Sequence, residues 1–322
     1  MKKVLMGRGA KTIIEVCAKV KEKEQVLIIG EYKTKNIVES IATSVYAVGS
    51  EPTIMYIVPR ERDGEEPPKT VAAAMKSSDV FICAVSKSIT HTKAVKEAVN
   101  ANSRGIMLTQ FEEDMLISGG IEANFELASV TCKAVAKALE NSKEVRLTTP
   151  SGTDLTFSAH GRRGNALTCI VSSGEFAPVP TIEANVSPLE GTAEGVIVAD
   201  ASIPYIGIGI LKENVKIQVS KGMIIDISGG KEADILRENL ALKNDPFVYN
   251  IAEMGVGLNP NCKFTGLMLE DEGVYGSVHI GIGTNITLGG NVKAACHYDL
   301  IMTKPTVIAD GKVILKQGEV CI

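Results

Sequence analysis

The chain has 322 residues, 45% hydrophobic and 22% charged, an ordinary globular composition with material for two cores. Its net charge is −4, and without a dense basic patch a nucleic-acid backbone is excluded as the main partner, leaving short peptides or small molecules. Seven scattered cysteines with no CxxC pair exclude a disulfide framework and a zinc ribbon.

Lys2 and Lys3 lead into Gly7, Arg8 and Gly9 rather than an apolar run, so the start does not read as a signal peptide. Val26 to Gly30 is a short continuous apolar run ended by glycine, and Ile37, Ile41, Val45 and Val48 then recur at helical spacing. The alternation returns with a strand over 53–58, a helix around Val71 to Met75, a strand over 80–85 and a helix from about Thr92 to Val99. A strand over 104–109 and a helix from Leu127 to Leu139 complete it. Apolar strands without polar alternation, separated by helices, predict an α/β domain with a parallel sheet over residues 1–145. His91, in the loop after the third strand, is a candidate substrate contact, because ligands gather at strand ends in such sheets.

From Val145 the texture turns β-rich, predicting an α+β metal-binding domain over 146–322. Hairpins are predicted at 145–158, at 215–227 around Lys221-Gly222, and at 307–315 around Asp310-Gly311. One amphipathic helix shows Ala233, Leu236 and Leu240 on one face. The apolar stretch from Gly195 to Leu211 carries Asp200 and Pro204 and is too short and broken to span a bilayer, so a soluble cytoplasmic protein is expected.

The chemistry is concentrated in this second part. His297 and Asp299 share one face of a strand, and His279 opens another strand eighteen residues upstream; these are two of only four histidines. Glu183 lies in a proline-bracketed loop, and Glu253 is isolated among small and apolar residues, where an unpaired carboxylate is unfavourable. An acidic run, Glu270 to Glu272, precedes Tyr275, and Gly281 and Gly283 clear space beside the histidine. Ligand clustering of this kind points to a metal site. Arg162, after His160-Gly161, is a candidate to hold a substrate carboxylate.

In their order, the segments around Glu183, Glu253, Glu270 to His279, and His297 to Asp299 resemble the metal-binding segments of the aminopeptidase T family of metallopeptidases. The resemblance implies that Glu183, Glu253, His279, His297 and Asp299 ligate two divalent ions, with a carboxylate bridging. It also implies that Glu272 is the general base. Mixed nitrogen and oxygen donors suit Zn, Co or Mn, and a metal pair can polarise a peptide carbonyl while generating hydroxide. The tyrosine that family places after the first histidine is Ile286 or a neighbour here, leaving Tyr275 or Tyr298 to replace it. The implied protein is a homodimeric aminopeptidase acting on short peptides. Short members of the superfamily resemble 2,5-dihydroxypyridine dioxygenase, and on that alternative His279, His297 and Asp299 hold one Fe(II). A metal-stabilised binding protein is the third reading.

Overall fold

The computed structural model describes residues 1–322, which pack as two units: Met1–Ser129 with Leu167–Pro180, and Val130–Ala166 with Thr181–Ile322. In the first unit, α1 (Lys2–Thr12) is followed by β1 (Val26–Gly30), α2 (Lys35–Ala47), β2 (Pro52–Tyr56), α3 (Lys69–Ser77), β3 (Val80–Ala84), α4 (Lys93–Asn100) and β4 (Arg104–Met107). The sheet is wholly parallel in the order β2-β1-β3-β4-β8, where β8 is Phe176–Pro178. Its three central strands are buried at every residue, which is why they read as continuous apolar runs. Leu27, Ile29, Phe81 and Cys83 pack against Val71 and Met75 of α3 and Val95 and Ala98 of α4, the residues whose helical spacing marked those helices. The sequence reading did not mark α1, because Gly7 and Gly9 weaken any local helical signal. Tertiary packing holds this helix: Gly9 lies so close to Leu116 that a Cβ there would fall 2.2 Å from its carbonyl oxygen.

The helix α5 (Phe125–Leu139) runs across the division between the units. The texture change at residue 145 is the start of the antiparallel strand β5 (Val145–Thr148), whereas the packing units divide at 129/130 and again around 167–180, where β8 pairs with β4. The second unit continues with β6 (Asp154–Phe157), β7 (Asn165–Leu167), β9 (Glu183–Val186), β10 (Glu194–Ala199), β11 (Ser202–Ile203), β12 (Gly209–Ile210), β13 (Val215–Ser220) and β14 (Met223–Ser228). After α6 (Lys231–Leu242) come β15 (Ile251–Gly257), α7 (Met268–Asp271), β16 (Val278–Gly283), β17 (His297–Met302), β18 (Thr306–Ala309), β19 (Lys312–Lys316) and β20 (Glu319–Val320).

These strands form two sheets. An eight-stranded one, β14-β13-β10-β6-β5-β18-β19-β20, contains all three predicted hairpins. Two of their turns place Lys221-Gly222 and Asp310-Gly311 at positive φ, the conformation that matches the strand twist in two-residue hairpins. The other sheet has seven strands in the order β12-β11-β17-β16-β15-β9-β7. Its central strands β15 and β16 are buried along their whole length, so polar side chains on them must find partners in the interior. No helix is long and apolar enough to cross a membrane.

Candidate metal centre

Four adjacent strands of the seven-stranded sheet carry the predicted donors. In one register row Glu253 of β15 and Asp299 of β17 flank Gly281 of β16; in the next, His279 of β16 lies beside Gly255 of β15. Glu183 of β9 pairs with Gly257, and His297 pairs with Gly283. Side chains alternate along a strand, so residues two apart share a face, and every donor has a glycine as its cross-strand neighbour. A Cβ on Gly255 would fall 2.1 Å from His279 Nε2, and one on Gly281 would fall 2.8 Å from both Glu253 Cβ and His297 Nε2. The glycines therefore form the hollow across which the donors converge.

His279 Nε2 lies 3.5 Å from Glu183 Oε2, 4.0 Å from Glu253 Oε1 and 4.0 Å from Asp299 Oδ1. His297 Nε2 lies 3.0 Å from Glu253 Oε2 and 3.4 Å from Asp299 Oδ1. Two compact triads result, Glu183–Glu253–His279 and Glu253–His297–Asp299, with Glu253 common to both. An outer layer orients them. His297 Nδ1 is 2.8 Å from the Thr284 carbonyl, which it reaches as an N–H donor, so Nε2 is the nitrogen turned to the hollow. Asn165 donates to Asn185, which donates to Glu183 Oε1 at 2.7 Å, leaving Oε2 for the centre. The His279 Nδ1 has no such partner.

The electrostatics are those of a cation site. Glu183, Glu253, His279 and Asp299 are each at most 5% exposed. Burial and the Glu253 carboxylate push Glu183 up to about 7. Burial works against a charge on either imidazole, but Glu183, Asp299 and Glu253 raise His279, while Asp299 and Glu253 raise His297 well above the usual histidine value. Asp299, also opposed by burial, is held below the usual carboxylate range by His297 and His279. With three carboxyl groups facing two imidazoles, the fully ionised cluster is negative even with both rings protonated, and the buried Asp299 Oδ1 accepts no hydrogen bond. The donor set thus fits a divalent ion, which would replace the proton on His297 Nε2.

The acidic run does not form a solvated turn. Asp271 is fully buried and accepts from the Thr265 and Gly266 backbone N–H groups, fixing the loop before α7. Glu272, implied as general base, meets the donors through Tyr205, whose hydroxyl is 2.8 Å from both Glu272 Oε1 and Asp299 Oδ2. A phenol has one proton for these two contacts, so one carboxyl supplies another. Burial, Asp299 and Glu183 raise Glu272 well above the usual range and make it that group.

Other residues singled out by sequence have different surroundings. Tyr275 is 39% exposed and lines a cavity of about 230 Å³ with Phe264, Thr303 and Lys304, whose walls include none of the five donors. Tyr298 donates to Asn239 and stacks on Tyr205, with ring centroids 5.2 Å apart. The Arg162 guanidinium, placed by sequence on a substrate carboxylate, is buried in an ion pair with Glu190 and donates to the Gly289 carbonyl at 2.6 Å. Glu190 also accepts from Asn285 and the Asn291 N–H, so this pair braces the 284–292 loop that carries the Thr284 carbonyl. His91 is exposed and belongs to the first unit. Sequence reasoning missed Tyr205, Asn185 and Asn165; the alternation of Asn185 with Glu183 on β9 was the one local signal for any of them.

The 2,5-dihydroxypyridine 5,6-dioxygenase family, NicX, matches residues 10–322. A protein of Pseudomonas putida described as 2,5-dihydroxypyridine 5,6-dioxygenase is 32% identical over 145 residues, a match covering 41% of this chain and 41% of that protein. The solved structure of 2,5-dihydroxypyridine dioxygenase from Pseudomonas putida superposes with a TM-score of 0.84 at 18% identity, covering 99% of this chain and 97% of that one. Wild-type AmpT from Thermus thermophilus superposes with a TM-score of 0.70 at 15% identity over 100% of both chains. The aminopeptidase T resemblance is therefore one of fold. With a match that spans both units and every donor strand, the chain belongs to the 2,5-dihydroxypyridine 5,6-dioxygenase (NicX) family.

Proposed function

We propose that this protein is a ring-cleaving dioxygenase of hydroxypyridine-type substrates, with one ferrous ion held by His279, His297 and Asp299. The observation that carries the reading is the convergence of those three donors on adjacent strands of a chain matched to the family over 10–322. Two histidines and a carboxylate are the donor types of non-haem iron oxygenases, and Fe(II) so held supplies electrons and open coordination positions for dioxygen chemistry. The chain's own residues do the rest. The Thr284 carbonyl fixes the His297 tautomer, Asn185 turns Glu183 Oε2 inward, and Glu253, whose Oε2 lies 3.0 Å from His297 Nε2, would accept the proton of a substrate hydroxyl. Glu183, Asn185 and Glu253 are buried, whereas the His297 side chain is 26% exposed and so marks the open side. A small molecule, with no nucleic acid and no peptide, is the partner, and the working unit is a homodimer.

One feature favours a second reading. Glu253 belongs to both triads, as a bridging carboxylate between two metal ions would. On that reading the chain is a two-metal aminopeptidase using Zn, Co or Mn, with Glu272 as base. An oxygen electrode separates the two. Protein loaded anaerobically with Fe(II) should consume one O₂ per 2,5-dihydroxypyridine lost and release no amine from aminoacyl p-nitroanilides. Release of p-nitroaniline by the Zn or Co form, without oxygen uptake by the iron form, would replace the dioxygenase with the hydrolase.

A further inference from the structure

Tyr205 was marked by no sequence pattern, yet it is the side chain most tightly engaged with the donor cluster from outside the four donor strands. It sits in the turn between β11 and β12, at the sheet edge next to β17, where Ser202 pairs with Ile301. Ile206 and Gly207 take positive φ to close this turn, and the Tyr205 N–H bonds the Ile203 carbonyl at 2.8 Å. The ring is fixed against Tyr298. Its hydroxyl therefore reaches Asp299 Oδ2 and Glu272 Oε1 from a short, doubly anchored loop rather than from a mobile one.

Asp299 has two oxygens with two different surroundings. Oδ2 is occupied by the phenol, whereas Oδ1 is buried, accepts no hydrogen bond, and lies 3.4 Å from His297 Nε2 and 4.0 Å from His279 Nε2. We propose that Tyr205 is a positioning residue of the metal centre: its hydroxyl occupies Asp299 Oδ2 and Glu272 Oε1 together, so Asp299 offers the cation only Oδ1 and Glu272 is held off it. The inference rests on the metal-centre reading above and goes beyond it. Its consequence is a low coordination number, because two oxygens that would otherwise fill positions on the ion are engaged elsewhere. Positions needed for small-molecule ligands stay open. Outer partners of metal ligands commonly change metal affinity by about 10–100-fold when removed, and Tyr205 serves two carboxylates at once.

The test uses the full chain titrated with Co(II), whose visible absorption weakens as oxygen ligands are added, and Tyr205→Phe, which keeps the ring packed on Tyr298. The expected result is a weaker Co(II) band and an affinity changed by about 10-fold or more, with the circular dichroism of the wild type. Tyr298→Phe, which removes the bond to Asn239 and keeps the ring, should leave the band unchanged; a band weakened equally in that variant would assign the effect to how the Tyr205–Tyr298 pair is anchored and overturn the proposal. Identical spectra and affinities for wild type and Tyr205→Phe would also overturn it while leaving the metal centre standing. A wild-type chain that binds no Co(II) would refute the metal centre and this role with it. Should Tyr205→Phe not fold, Glu272→Gln decides: an unchanged band keeps Glu272 off the ion, and a changed band places it there against the proposal.

Discussion

Replacing Gly281 with alanine probes the centre through its backbone rather than its donors. The added Cβ would lie 2.8 Å from Glu253 Cβ and 2.8 Å from both Cε1 and Nε2 of His297. Carbon atoms in contact prefer roughly 3.5–4.0 Å, so each approach is short by about 0.7 Å or more. His297 can swing because its side chain is 26% exposed, but Glu253 Cβ is fixed to a strand buried at every residue. The relief must come from separation of β15 and β16, which moves Glu253 away from His279 and His297. Overpacking of a buried site costs about 1–3 kcal/mol. Urea unfolding of the metal-free chain should register that loss, and isothermal titration with Co(II) should show weaker binding, because the hollow itself is filled. If Gly281→Ala bound Co(II) like the wild type and unfolded at the same urea concentration, the argument that glycines create the site would be refuted.

Other predictions follow from the same geometry. Folding raises both Glu183, from 4.5 to about 7, and His297, upward from 6.5, so the folded metal-free chain holds more protons near neutrality than the unfolded one. The stability these two groups contribute should therefore be full below about pH 4.5 and be lost as pH rises through 7, by at most about 1.4 kcal/mol per pH unit for each proton, as read by thermal unfolding in chelator. Metal affinity should rise over the same range, since binding displaces those protons. Arg162→Met should destabilise by about 2–3 kcal/mol in urea, because it leaves Glu190 and the Gly289 carbonyl without their partner. Were Arg162 instead a substrate contact, the variant would raise KM with stability unchanged. Gly7→Ala, with nothing within 4 Å of its Cβ, should stabilise α1 by about 0.5–1 kcal/mol, whereas Gly9→Ala, directed at Leu116, should destabilise.

The parallel sheet of the first unit was legible because β1, β3 and β4 are buried on both faces and so consist of apolar residues throughout. The hairpins were legible because Lys221-Gly222 and Asp310-Gly311 need positive φ. The five residues that cluster share types and spacing that the sequence displays, and the alternation of His297 and Asp299 put both on one face. Tyr205 was not legible: it touches Asp299 across 94 positions, from a turn whose flanking strands are two residues long. Arg162 was misread for a related reason, since its partner Glu190 lies in a different loop and only tertiary packing joins them. The strand β8 follows the β-rich texture of its surroundings, yet pairs with β4, because strand pairing is decided by distant neighbours rather than by local composition.

The account turns on whether a single divalent cation sits among His279, His297 and Asp299. Diffraction from crystals grown anaerobically with Fe(II), recorded on both sides of the iron absorption edge, locates the ion directly. One anomalous peak within bonding reach of His279 Nε2, His297 Nε2 and Asp299 Oδ1 is the predicted result. Anomalous density absent from this hollow would contradict the account.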